Sequence, residues 1–312
     1  MSGGAGVSAM SEVMKISIHM SCDHKCEWCE MFFECDDPSK WDMYKRRRMA
    51  EAIRTMAKIR HKVAVIGGKG GTGKSTVSVN LATALAMMGK KVCVLDQDLD
   101  GSSIPKLFGK EGERMKMTDK GLEPVEAILG IKLVSLGFIE KGFVTLFHEL
   151  RRAVTEEFLA HVNYGEADYL VVDLPPGTSS DAANLMQYIP DLDGVIVVTV
   201  GPRVSQMAAR RAALMAMKAG VEVLGVIENM SGYICGNCGK YFELMTTGGG
   251  KELADELGVP FLGRIPLHPD ISKVSDQGVP FVYALPDNPA SKAIMSIARE
   301  LDRVLEEKKR GG

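Results

Sequence analysis

The sequence predicts an α/β fold: a mostly parallel sheet with helices on both faces. Three observations carry this. Short Val- and Ile-rich runs recur along the chain, at 62–66 (KVAVI), 169–173 (YLVVD), 194–200 (GVIVVTV) and 221–229 (VEVLGVIEN). Between them lie stretches with helical periodicity, the alternation that buries a parallel sheet on both faces. A glycine-rich loop at 67–76 joins the first run to the first helical stretch. The 312 residues, 46% of them hydrophobic and 25% charged, suffice for one large α/β domain with a small appendage.

Residues 1–14 are rich in Gly and Ser and are expected to be disordered. Residues 15–41 form a cysteine-rich segment, with Cys22, Cys26, Cys29 and Cys35 close together. Residues 42–60 read as a linker helix, because Met49, Ile53, Met56 and Ile59 fall three or four apart. The main domain is expected over 61–308. Its first strand, 62–66, leads through the glycine loop into a helix at 77–88 that Gly89 closes. A second strand follows at 91–95, then the strands at 169–173, 194–200 and 221–229, and a sixth at 259–265. Helices are expected at 204–218 and 251–257. The last helix, 289–308, carries Ile294, Ile297, Leu301, Val304 and Leu305 on one stripe. That stripe suits docking on the sheet better than on a membrane, since the charges are mixed and no bulky aromatic anchor is present.

The formal net charge of −2 argues against a nucleic-acid binder with a broad basic surface. The run Lys45–Arg48 is short and reads as a solvated helix face. No uninterrupted apolar stretch reaches the ~18 residues that a membrane helix needs. The N-terminus lacks the charged and apolar regions of a secretory signal. A cytoplasmic protein is therefore expected, with no nucleic-acid or membrane partner. In that compartment seven cysteines point to metal or redox chemistry rather than to disulfides.

Gly68-Lys69-Gly70-Gly71-Thr72-Gly73-Lys74-Ser75 satisfies G-x-x-x-x-G-K-S between an expected strand and helix, the context a phosphate-binding loop requires. Its glycines let backbone N–H groups turn towards phosphate oxygens, and the helix beginning at Lys74 directs its positive end at them. Lys74 would bridge the β- and γ-phosphates of ATP, and the Ser75 hydroxyl would bind Mg²⁺. The second expected strand runs into Asp96-Gln97-Asp98, and the third ends at Asp173 before Pro175-Pro176-Gly177. Four apolar residues and then Asp is the pattern of a carboxylate that holds Mg²⁺ through water. The stiff turn after it suits a loop that senses the γ-phosphate.

The second lysine, Lys69, makes the loop from Lys69 to Thr76 similar to the deviant Walker A box of the MinD/ParA/nitrogenase-iron-protein superfamily, a SIMIBI-type P-loop NTPase fold. Spacing alone allows Lys69 to be an exposed loop lysine. The resemblance implies that it reaches the nucleotide of the other subunit in an ATP-bound dimer. It also implies that Asp98 orients the attacking water, that Asp96 supports the magnesium shell, and that Asn229 contacts the adenine.

Cys235-Gly236-Asn237-Cys238 follows the fifth expected strand. Two thiolates make no closed site, since zinc usually takes four ligands, but a homodimer supplies four by symmetry. Zinc and a 4Fe–4S cluster both fit that count. Residues 225–231 (GVIENMS), the C-x-x-C pair, Gly248-Gly249-Gly250, 262–267 (LGRIPL), 173–180 and Gly101–Pro105 are together very similar to the Mrp/ApbC/Nbp branch. The match covers roughly 61–305. Thr72 stands where Val is usual, and 97–102 departs from the branch's common Ala-Asp-Ile-Tyr-Gly-Pro. The resemblance implies an ATP-hydrolysing carrier that bridges a 4Fe–4S cluster between subunits through Cys235 and Cys238 and passes it to apo-proteins. It would act as a homodimer, or in a hetero-oligomer with a related carrier.

The N-terminal cysteines read as metal ligands. Cys26, Cys29 and Cys35 resemble the N-terminal ferredoxin-like cluster site of the eukaryotic-type Nbp carriers, with Cys22 as a candidate fourth ligand and zinc as an alternative occupant. Cys22-x₃-Cys26-x₂-Cys29 also fits the radical SAM motif, although a P-loop follows where that family has a barrel. Two other functions stay open: an ATP-driven electron donor like the nitrogenase iron protein, and a MinD/ParA-type positioning ATPase.

Overall fold

The computed structural model describes residues 49–139, 148–177, 188–235 and 238–311, together with 182, 185 and 186. The chain divides into two compact units, 1–50 and 51–312, and everything below concerns the second. The expectations for residues 1–14, and those for Cys22, Cys26, Cys29 and Cys35, fall outside the described residues.

The strands are β1 (Ile59–Gly67), β2 (Val92–Asp96), β3 (Lys116–Thr118), β4 (Gly121–Glu123), β5 (Val125–Glu126), β6 (Lys132–Val134), β7 (Ala167–Asp173), β8 (Gly194–Thr199), β9 (Val223–Glu228), β10 (Tyr233–Ile234), β11 (Tyr241–Phe242) and β12 (Phe261–Arg264). The helices used below are α1 (Lys74–Met87), α2 (Ile104–Leu107), α3 (His148–His161), α4 (Arg203–Lys218), α5 (Gly249–Leu257), α6 (Pro269–Asp276), α7 (Phe281–Ala284) and α8 (Pro289–Gly311). Eight strands form one sheet in the order β12-β9-β8-β1-β7-β2-β6-β5. All its neighbours are parallel except the edge pair β5–β6.

Burial explains why the strands read as continuous apolar runs. Successive residues of β1 feed opposite faces: Val63 and Val65 join one core, Ala64 and Ile66 the other. The first core is closed by α1, α7 and α8, the second by α3, α4 and α5. The C-terminal stripe docks as expected, with Ile294, Ile297, Leu301 and Leu305 buried. Each such side chain contributes about 1.5–3 kcal/mol of burial.

Boundaries differ from the sequence expectation where tertiary pairing decides. Helix 42–60 was expected to run to residue 60, but helical backbone ends at 56, and Ile59 instead opens β1 opposite Ala167. Its buried side chain gains a sheet neighbour on an element whose core strands are fully covered. Helix α1 begins at Lys74, where the phosphate-loop motif puts its start; the apolar pattern alone marks it only from 77, after the phosphate-loop residues.

The order of strands places the site. From β1 the chain crosses to β2 on one side and later, after β7, to β8 on the other. Such a reversal opens a crevice at the C-terminal ends of the strands, where open α/β sheets bind ligands.

Candidate functional site

Between β1 and α1 the loop over Gly68–Gly73 turns with Gly71 and Gly73 at φ 80° and 78°. Gly73 caps α1 from the left-handed region, and a Cβ there would fall 2.2 Å from the Asn229 Nδ2 atom. Glycine is therefore required twice over at this position. Asn229 Nδ2 donates to the Thr72 carbonyl oxygen at 2.9 Å, so the end of β9 fixes the loop's closing edge. No acidic side chain occupies the first turn of α1, and its N–H groups keep their positive end for an anion. Lys69 and Gly70 are exposed on the loop, whereas Thr72 and Lys74 are buried. The Thr72 hydroxyl is buried without a hydrogen-bond partner.

Asp96 and Asp173 are direct register partners at the C-terminal ends of β2 and β7. Asp173 is fully buried; its carboxylate meets Lys74 Nζ at 2.8 Å and accepts from Ser75 Oγ at 2.5 Å and Ser78 Oγ at 2.7 Å. Asp96 accepts from Ser102 Oγ at 2.6 Å, Ser135 Oγ at 3.1 Å and the Asp98 backbone N–H at 3.1 Å. Burial pushes the Asp96 carboxyl up to about 7, and repulsion from Asp173 adds to it; the Ser102 and Asp98 hydrogen bonds and the Lys74 charge pull the other way. Two carboxylates and a serine hydroxyl make an all-oxygen donor set suited to a hard cation such as Mg²⁺. A divalent cation would relieve the crowding that raises Asp96.

Asp98 lies one step beyond, half-buried. Burial raises its carboxyl, Lys74 lowers it, and Asp173 raises it again. It accepts from the Gly101 backbone N–H at 3.3 Å. Gln97, between the two acids, is buried and accepts from Thr155 Oγ1 at 2.8 Å. The loop after β7 closes onto the first strand through the Gly177 N–H and the Gly67 carbonyl at 3.0 Å.

Beside α1, a cavity of about 580 Å³ opens between Gly73, Thr76, Asn229, Met230, Ile265 and Phe281. Its walls are largely apolar, and Asn229 supplies a polar side chain at the loop end.

The cysteines lie on the next excursion of the chain, whose Tyr233 and Leu244 also line this cavity. Strands β10 and β11 pair antiparallel, Tyr233 with Phe242 and Ile234 with Tyr241. Cys235 follows β10 and donates its backbone N–H to the Lys240 carbonyl at 2.9 Å, while its own carbonyl accepts from Gly239 N–H at 2.9 Å. Both cysteines thus ride the turn of this hairpin, Cys235 half-buried and Cys238 exposed. Tyr241, Phe242, Leu244 and Met245 are exposed alongside them. Among the described residues no cluster of three or more His, Cys, Asp or Glu side chains could hold a metal by itself. Cys93 is buried in β2, and desolvation pushes its thiol up to about 12, in keeping with a packed core residue.

Ser78, Ser102, Ser135 and Glu228 were not singled out from the sequence. Ser78 and Ser135 reach their carboxylates from segments distant in the chain, which no local pattern marks, whereas Ser102 lies just after Asp96, within the Gly101–Pro105 stretch. Glu228 had one signal: a lone acid at the end of an apolar strand, immediately before Asn229.

Fold and loop together define a P-loop NTPase, an ATPase by class. The chain belongs to the ParA family of NUBPL-type iron-transfer P-loop NTPases, whose model matches residues 58–302. It is 40% identical over 291 residues to an iron–sulfur cluster carrier protein of Methanocaldococcus jannaschii, covering 92% of this chain and 99% of that one. It is also 40% identical over 253 residues to the human cytosolic Fe–S cluster assembly factor NUBP2, covering 79% and 93%. Among solved structures, an Archaeoglobus fulgidus nucleotide-binding protein in complex with ADP superposes with a TM-score of 0.67 at 38% identity, covering 74% of this chain and 91% of that one. The Pyrococcus horikoshii septum site-determining protein MinD shares the fold with a TM-score of 0.60 at 23% identity, covering 79% and 97%. The expected MinD-like architecture and the membership of the cluster-carrier branch both stand.

Proposed function

We propose that this chain is an ATP-dependent carrier of 4Fe–4S clusters, holding its cargo between two copies and releasing it to apo-proteins. The observation that carries the proposal is one of placement. A complete phosphate loop and a hairpin bearing two thiols, one of them exposed, leave the same compact unit, joined through the end of β9. Two thiolates are half of what a 4Fe–4S cluster takes, and a two-fold dimer presents four. The kinship with named cluster carriers supports the cargo.

In this reading the backbone N–H groups of 68–73 and the first turn of α1 cradle the phosphates of ATP. Lys74 leaves Asp173 to meet the β- and γ-phosphates, and Ser75, Asp173 and Asp96 would hold Mg²⁺. Bound Mg²⁺ neutralises charge on the phosphate oxygens. Asp98, beyond them, orients the attacking water. Exposed Lys69 reaches the nucleotide of the second copy, and the cavity beside Asn229 takes the adenine. The N-terminal cysteines Cys22, Cys26, Cys29 and Cys35 are proposed as a second metal or cluster site. Among the described residues no helix is long and apolar enough to cross a membrane.

Anaerobic reconstitution with iron and sulfide tests the cargo. Wild type should exceed Cys235→Ala/Cys238→Ala by about two irons per chain, half a 4Fe–4S cluster. It should also gain a cluster-dependent dimer by mass measurement. Equal iron in both proteins, or zinc uptake alone, would refute the carrier role of this pair.

A further inference from the structure

Glu228 is a buried carboxylate that the nucleotide chemistry does not use. Its backbone is locked between two strands, opposite Thr199 of β8 and Arg264 of β12. Its side chain is fully buried, and its three hydrogen bonds share one feature. Oε1 accepts from Ser231 Oγ at 2.5 Å and from Gly248 N–H at 3.0 Å, and Oε2 accepts from Gly250 N–H at 2.6 Å. Ser231 begins the excursion that carries Cys235 and Cys238; Gly248 and Gly250 end it. One carboxylate therefore holds both legs of the cysteine hairpin. The close approach depends on glycine, since a Cβ on Gly250 would lie 2.6 Å from the Glu228 Cβ. The first leg is held further by Ser231 N–H on the Ile265 carbonyl at 2.9 Å and by Leu267 N–H on the Gly232 carbonyl at 2.8 Å.

The next residue points elsewhere. Asn229 donates to the Thr72 carbonyl inside the phosphate loop, and its own N–H is fixed to the Thr199 carbonyl at 2.8 Å. Met230 follows at φ 52°, a left-handed conformation that costs a non-glycine residue roughly 1–2 kcal/mol. Strain of this kind persists only where surrounding contacts over-determine it. Adjacent side chains at one strand end thus grip the phosphate loop and the base of the cysteine hairpin, with a strained residue between the strand end and the hairpin.

We propose that Glu228 is the positioning residue of the cysteine pair, and that Glu228 and Asn229 together transmit the nucleotide state of the phosphate loop to the thiols of Cys235 and Cys238. This rests on the carrier reading for its purpose but not for its physics. A ligand that displaces Thr72 moves Asn229, and β9 passes the change to the carboxylate that holds both legs. Glu228 touches neither phosphate nor sulfur.

Thiol alkylation resolved by peptide mass spectrometry provides the test, on metal-free full-length protein with and without Mg-ATP. In wild type, saturating nucleotide should change the Cys238 alkylation rate by about fivefold or more, the lower end of ordinary coupling between sites. Glu228→Gln, isosteric but offering an amide where Gly250 N–H needs an acceptor, should bind a fluorescent ADP as wild type does yet lose that change. Ser231→Ala, which removes one leg's bond and disturbs the fold least, should reduce it. A wild-type rate indifferent to nucleotide, or an unchanged nucleotide effect in both folded variants, would overturn the proposal. Separate cluster reconstitution distinguishes the two readings: nucleotide-dependent alkylation in a protein that holds no cluster would sink the carrier function and leave the coupling.

Discussion

The two ends of the sheet treat the same side chain in opposite ways. At the N-terminal ends of the strands, acids are satisfied. Asp193 accepts from the Lys62 backbone N–H at 2.7 Å and lies 3.9 Å from the His61 ring. Burial pushes its carboxyl up, but the His61 imidazole and the Lys62 N–H more than offset that, and the net shift is downward. Asp302 behaves likewise: against the cost of burial stand Lys90 at 2.7 Å and the Tyr169 hydroxyl at 2.6 Å. At the C-terminal ends, Asp96 is buried beside Asp173 and is driven up to about 7. One end is arranged for the chain's own stability. The other holds negative charge that the chain only partly compensates, a cost that makes sense where a cation and a phosphate chain complete the site.

Substitutions should expose the difference, the largest effects falling at the crevice. Asp98→Ala is expected to retain nucleotide binding while hydrolysis falls by about 10²–10⁴-fold, the range for a positioned acid–base group. Phosphate release under saturating Mg-ATP measures it, and near-normal turnover would move the water-orienting role elsewhere. Lys74→Ala should weaken nucleotide binding about 10- to 100-fold in calorimetric titration, the range set by the ~1.5–3 kcal/mol of a hydrogen bond to a charged group. It also strands Asp173, and breaking such a buried pair costs about 3–5 kcal/mol, so the variant should melt earlier as well.

Opposite pH dependences sharpen the contrast further. The folded Asp96 carboxyl lies above its unfolded value near 3.8, so the fold loses stability as pH climbs from about 4 through about 7. In metal- and nucleotide-free protein, Asp96→Asn should therefore raise the melting temperature at pH 8, with a gain that shrinks steadily towards pH 4. Asp193 is depressed instead, so its contribution is complete above the unfolded value and disappears as pH falls below it. Asp193→Asn should cost about 1 kcal/mol at pH 7 and little in acid. Parallel pH profiles for the two variants would erase the distinction between the ends of the sheet.

Much of this was legible in the sequence, for local reasons. The phosphate loop with Lys74 and Ser75 is a contiguous motif, and Asp173 shows as the acid ending an apolar run, although its meeting with them depends on the pairing of β7 with β1. The apolar runs gave the parallel strands, since a strand covered on both faces needs no polar alternation. Less legible was whatever depends on contact between distant segments. Ser135 reaches Asp96 from the connection after β6. The paired strands β10 and β11 are only two residues each, too short for a period, and they were seen in sequence only through their cysteines. Glu228 stood in plain view at a strand end, but its importance lies in Gly248 and Gly250, which only the folded chain brings to it. Asn229 was expected against adenine; the structure adds a grip on the Thr72 carbonyl that spacing could not reveal.

The most direct measurement is anaerobic transfer. Reconstituted wild type and Cys235→Ala/Cys238→Ala would each be mixed with an apo-enzyme that needs a 4Fe–4S cluster, with and without Mg-ATP, and the enzyme's regained activity followed over time. Wild type should restore activity at a rate that responds to nucleotide, while the double variant binds nucleotide normally and restores none above free iron and sulfide. Equal restoration by the variant would contradict that expectation and move cluster delivery away from the Cys235–Cys238 hairpin.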